Sequence, residues 1–187
     1  MMATSALRRA PAGATGVGTA AVDLRRLVDS AFAGPAWHGP ALRSALRGVA
    51  VEEALWLPAA GRNRIWDLAL HAAYAKHRLL GRLDPTYRAR FPRALDRQWW
   101  PRLPADATAA AWRGDLALLD EYHGRLRDLV AALPPGRLAG SRRGVRFTLA
   151  EEVAGVALHD TYHGGQVRLI RRLYAARRAP ARRAGSA

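Results

Sequence analysis

The stretch "HDTYHGGQVRLIRRL", residues 159 to 173, sets two histidines four apart and follows them with Gly164, Gly165 and Gln166 before an apolar, arginine-rich run. At about 100° per residue, Val156, His159, His163, Gln166, Ile170 and Leu173 fall on one helical stripe, so both imidazoles are expected to face inward. One turn apart, roughly 6 Å along the axis, two such rings can converge on one ion. Burying imidazoles without partners costs a few kcal/mol for each unsatisfied nitrogen, and a divalent metal is one way to satisfy them.

An i,i+4 pair also arises by chance on exposed helices, so a metal site needs a third ligand from another element. His71 is the best placed: it sits in the middle of "NRIWDLALHAAYAKHRLLGRL", beside the stripe of Leu68, Ala72, Ala75 and Leu79. His123, in the apolar stripe of a later helix, is the rival ligand or a supporting residue, although a lone core histidine is more often a hydrogen-bonded packing residue. His77 is six residues from His71, about 240° around the helix, and is expected to face water; His38 lies in the loop "WHGP". "HDTYH" also approaches the zinc-protease pattern HExxH, but Asp160 is a shorter side chain than the glutamate that serves there as general base.

The elements that must position these residues are helices. "VDLRRLVDSAF" starts a short amphipathic helix that stops at Gly34-Pro35, and Pro40 can open a second piece; together they could form one broken helix. The His71 helix ends near Gly81 and Asp84-Pro85. Pro85, Pro92, Pro101 and Pro104, with "QWW" between them, make residues 85 to 105 a long ordered loop. Trp112, Leu116, Leu119, His123, Leu126, Val130 and Leu133 then repeat in steps of four and three, the clearest helix in the chain, ended by Pro134-Pro135-Gly136. Thr148 and Glu151 form a capping box, so the last helix should start at about Thr148. No alternating strand pattern of useful length appears, and an antiparallel four-helix bundle is the economical all-α architecture.

"GVALHDTYHGGQVRLI", with "IWDLALHAAYAKHRLL" and "AWHGP", resembles the DinB-like superfamily over about residues 22 to 174, most specifically in His159, His163, Gly165 and Gln166. The resemblance implies a four-helix bundle with a divalent metal, zinc or nickel foremost and iron or manganese also admissible. It implies His71, His159 and His163 as the ligands. Gly164 and Gly165 would then allow a neighbouring helix to approach, and Gln166 would hold a ligand by a hydrogen bond. It further implies a metal-dependent transferase or hydrolase acting on a small molecule, with S-transfer from a low-molecular-weight thiol as one form; a homodimer is compatible with it.

Composition bounds the rest. A chain of 187 residues, half of them apolar, supports one domain, expected over residues 21–174 between a disordered extension at 1–20 and an Arg-rich tail at 175–187. Without cysteine, any metal must be held by nitrogen and oxygen. No stretch approaches the ~18 apolar residues of a membrane span, which points to a cytoplasmic protein without a membrane partner. The net charge of +15 raises nucleic acid as a partner. Arg8, Arg9, Arg177, Arg178, Arg182 and Arg183 supply six of those charges, however, and Lys76 is the only lysine among 30 basic residues, a usage that looks compositional. A nucleic-acid-binding bundle using its arginines and exposed Trp99 and Trp100, or a non-catalytic stress-related bundle, is the competing reading.

Overall fold

In the computed structural model, which describes residues 23–141 and 144–178, the chain order is α1 (Leu24–Phe32), α2 (Leu42–Ala45), α3 (Val51–Leu55), α4 (Ile65–Leu83), a hairpin of β1 (Leu95–Arg97) and β2 (Trp100–Pro101), α5 (Ala109–Ala132), α6 (Pro135–Leu138) and α7 (Leu149–Arg178). The described residues are mostly helical, as expected. Helices α1, α5 and α7 begin where side chains satisfy orphan backbone donors. Asp23 accepts from the Arg26 N–H and Thr108 from the Ala111 N–H. The Thr148–Glu151 box forms as predicted, with Glu151 accepting from the Thr148 N–H at 2.7 Å and Thr148 from the Glu151 N–H at 3.2 Å.

Helix α4 is the spine. Trp66, Leu68, Ala69, Leu70, Ala72, Ala73, Leu79 and Leu80 are all buried, so it is covered nearly all round, chiefly by α5 and α7. Each large aliphatic side chain taken from water there contributes about 1.5–3 kcal/mol. Contacts with α7 run in opposite directions, pairing Arg82 with Glu152 and Lys76 with Asp160. Contacts with α5 run the same way: Trp66 meets Trp112 and Asp115, and His77 meets Tyr122. Helices α4 and α5 are therefore parallel, which corrects the all-antiparallel expectation. The long connector from Asp84 to Thr108 makes this feasible, because it can return along α4 before α5 starts.

Three further expectations change. Residues 95–101, read as loop, form the hairpin, whose register is irregular between Leu95 and Arg97. Helix α7 runs on to Arg178, so residues 175–178 are helical rather than tail; the rest of that tail and the extension at 1–20 lie outside the described residues. The buried face of α7 centres on Val153, Ala157, Asp160, Gly164 and Val167, one position beside the stripe drawn through the histidines, and Leu173 is 45% exposed.

That offset turns Asp160 into the core. Its carboxylate meets the Lys76 ammonium at 2.5 Å, and both side chains are 0% exposed. Burial pushes the Asp160 carboxyl above its ordinary range, against the pull of Lys76. A charge left alone here would be costly, whereas a matched apolar pair would not. Lys76→Met should destabilise the protein by about 3–5 kcal/mol in urea unfolding, and Lys76→Met with Asp160→Leu should recover most of that loss.

His123 is a packing residue. Its ring stacks on Phe32 at 3.9 Å between centroids, and Nε2 lies 3.2 Å from Asp29. Burial, aided by Lys76, lowers its pKa from 6.5 to about 4 despite Asp29. Between those values the unfolded chain binds the proton and the folded chain does not, so this group's contribution to stability is complete above pH 6.5 and is lost as pH falls toward 4. Each such proton contributes a slope of about 1.4 kcal/mol per pH unit. Unfolding free energies measured from pH 4 to 7 should rise less steeply in His123→Gln than in the parent.

Candidate metal centre

Helix α4 carries His71 and α7 carries His159 and His163. The antiparallel α4/α7 packing, registered by Lys76–Asp160, brings the three imidazoles together. His159 Nε2 lies 2.9 Å from His71 Nε2 and 3.0 Å from His163 Nε2. One ligand-capable atom from each residue falls within 4.8 Å of the other two, a group that could hold a metal ion. Imidazole nitrogens bound about 2.0–2.1 Å from a shared ion lie roughly 3 Å apart, so the spacing suits such a role.

The far side of each ring decides what the converging nitrogens can do. His71 Nδ1 is 2.6 Å from the Trp99 carbonyl, which only accepts, so Nδ1 carries the proton and Nε2 presents a lone pair. His163 Nδ1 likewise donates to Gln166 Oε1 at 2.6 Å, and Gln166 Nε2 donates in turn to the Tyr162 hydroxyl. His159 Nε2 therefore faces two acceptors. A proton there could satisfy one of them and not both, and His159 Nδ1 is buried with no hydrogen-bond partner among the described residues. A cation at the convergence point would satisfy three lone pairs at once, and this donor set fits a divalent ion.

The electrostatics keep the donors neutral. Burial lowers the pKa of His159 to about 3, with His163, His71 and Lys76 adding to the effect, and that of His163 to about 4, with its bond to Gln166 opposing the shift and His71 and Lys76 adding to it. His71 is also lowered, first by burial, with Arg97 and Lys76 adding to the effect and its bond to Trp99 opposing it. Deprotonated imidazole is the form that ligates.

The connector supplies a wall whose one sequence signal is the aromatic pair in "QWW". Trp99 has φ 69°, a left-handed conformation that costs a bulky residue about 1–2 kcal/mol and here turns its carbonyl onto His71. Trp100 stacks on His71, with centroids 4.1 Å apart and planes 9° apart. Both tryptophans are half-buried, so neither is the exposed base-stacking ring of the nucleic-acid reading. His77, expected to face water, is half-buried among Tyr74, Tyr87, Phe91 and Tyr122. His38 is exposed, 3.3 Å from the Thr161 hydroxyl, and His123 pairs with Asp29; neither joins the cluster. Gly164 lies against the start of α2, where a Cβ would meet Leu42 at 3.5 Å, whereas Gly165 has nothing within 4 Å and brings no helix close.

The sequence profile of the DinB superfamily matches residues 36–167, a span holding all three histidines, Gln166 and the hairpin. The chain belongs to the DinB superfamily. No curated protein and no solved structure matches it. Among the described residues of this DinB-superfamily chain, no helix is long and apolar enough to cross a membrane.

The Gln166 contact should tune the centre without belonging to it. Gln166→Leu should weaken metal affinity about 10–100-fold in competition with a chromophoric chelator, while saturating metal still loads the protein.

Proposed function

We propose that the chain is a metal-dependent transferase or hydrolase whose divalent ion, zinc or nickel, is held by His71, His159 and His163, with α1, α4, α5 and α7 as the walls of a four-helix bundle. The observation that carries this reading is the convergence of three Nε2 atoms, two of them made lone-pair donors by Trp99 and Gln166. When bound, the ion would act as a Lewis acid, lowering the proton affinity of a water or a low-molecular-weight thiol at the position that three imidazoles leave open.

The protein's own residues do the remainder. The Trp99 carbonyl and the Gln166 amide hold two rings in orientation, which spares that cost during turnover. Trp100 covers one face of His71 and limits water there. With no cysteine in the chain, a sulfur nucleophile would arrive as a bound thiol, which supports S-transfer from a small thiol as the form of the reaction.

Elemental analysis should find about one divalent ion per chain, and His159→Ala or His163→Ala should abolish stoichiometric loading. Full retention of metal in both variants would sink the assignment. Because the ion binds the folded state, a chelator should lower the melting temperature by several degrees. The activity itself is tested by offering the loaded protein a panel of thiols with electrophilic acceptors, alongside ester and amide substrates, and following turnover.

A further inference from the structure

A cavity of about 460 Å³ opens between α4 and α7, with His71 and His159 among its lining residues. Its volume is in the range that small ligands occupy. The walls are largely apolar: Ala75 and Leu79 from α4, Val156 from α7, with Trp99 and Phe147 closing the sides. Four charged residues line it as well, Arg78, Arg82, Glu151 and Glu152.

Three of these charges are already engaged. Arg82 pairs with Glu152 at 3.1 Å. Glu151 accepts from both the Thr148 N–H and its hydroxyl as part of the helix cap. Arg78 differs: its guanidinium lies 5.3 Å from the Trp99 ring centroid, and it has no carboxylate within ion-pair distance among the described residues. An exposed guanidinium held over an aromatic face keeps its forked donors free, and that fork matches a planar carboxylate. A dianionic phosphate would call for more donors than one free guanidinium provides.

We propose that this cavity binds a small molecule with an apolar body and a terminal carboxylate, the carboxylate seated on Arg78 and the opposite end presented to His71 and His159. Arg78 is seven residues after His71, two turns along the same side of α4, which sets a span of about 10 Å between the two ends. The apolar body then lies against Leu79, Val156 and Trp99. Assigning the end beside the histidines to the reacting group rests on the metal-centre reading; the carboxylate seat does not, and it can be tested apart.

The test is calorimetric titration of the full chain at low salt with 5-phenylpentanoate and with its uncharged counterpart, 5-phenylpentan-1-ol, each with and without one equivalent of Co(II). The acid should bind about tenfold more tightly than the alcohol, and the advantage should shrink as salt is raised. Arg78→Ala should bring the acid to within about twofold of the alcohol without changing the alcohol's affinity or the circular dichroism, and Arg78→Lys should recover part of the preference. Equal binding of acid and alcohol, binding of neither, or a preference that survives Arg78→Ala would overturn the proposal. Visible Co(II) absorption reports on the histidine centre separately. Absent bands with an Arg78-dependent preference would remove the metal reading and leave the carboxylate seat; bands without the preference would do the reverse.

Discussion

The buried pair of Lys76 and Asp160 is the constraint on which the geometry of the histidine cluster depends. It joins the two helices that carry the imidazoles, five residues past His71 on α4 and one past His159 on α7. A slip of one helical turn, about 5.4 Å, would part the two charges in a dry interior, where neither has another partner of opposite sign among the described residues, so the register of α4 against α7 is fixed far more firmly than apolar packing alone would fix it. In a chain otherwise served by arginine, the single lysine stands at this position. A guanidinium would bring five donors to satisfy where one carboxylate is at hand, while an ammonium is compact enough to be enclosed.

Because Asp160 points to the middle of the α7 core face, the histidines are rotated to its shoulder. His163 is buried and His159 is half-buried. This placement lets the rings of His71 and His163 be anchored through Nδ1 while His71 and His159 border the cavity between α4 and α7. A site at the centre of the face would have been walled in by α4. One at the opposite side would have had no helix from which to draw His71.

Local order was legible in the sequence because local physics sets it. The steps of four and three through Trp112 to Leu133, the Thr148–Glu151 box and the His159/His163 pair all express contacts within one or two turns, and His71 followed as the mid-helix imidazole on an apolar side. What was not legible depends on distant partners. A helical stripe can be rotated by one position at little cost to its pattern, so the shift from a face centred on His159 and His163 to one centred on Asp160 could not be seen before Lys76 was known to be opposite. The parallel course of α4 and α5 is a property of the connector's path, and proline content alone read that connector as loop. Trp99 and Trp100 look like surface aromatics until the hairpin folds back onto His71.

The group that steadies His71 is a main-chain carbonyl. Every amino acid has one, so the support depends on the shape of the turn at position 99 and not on the chemistry of the side chain there. The indole at that position meanwhile faces the chamber and the guanidinium of Arg78. Imidazole orientation and chamber lining are thus separately heritable: residues that accept a left-handed backbone, glycine and asparagine foremost, can replace Trp99 and reshape the chamber while leaving the imidazole in place. One short turn thus sets the orientation of an imidazole through its backbone and the lining of a cavity through its side chain.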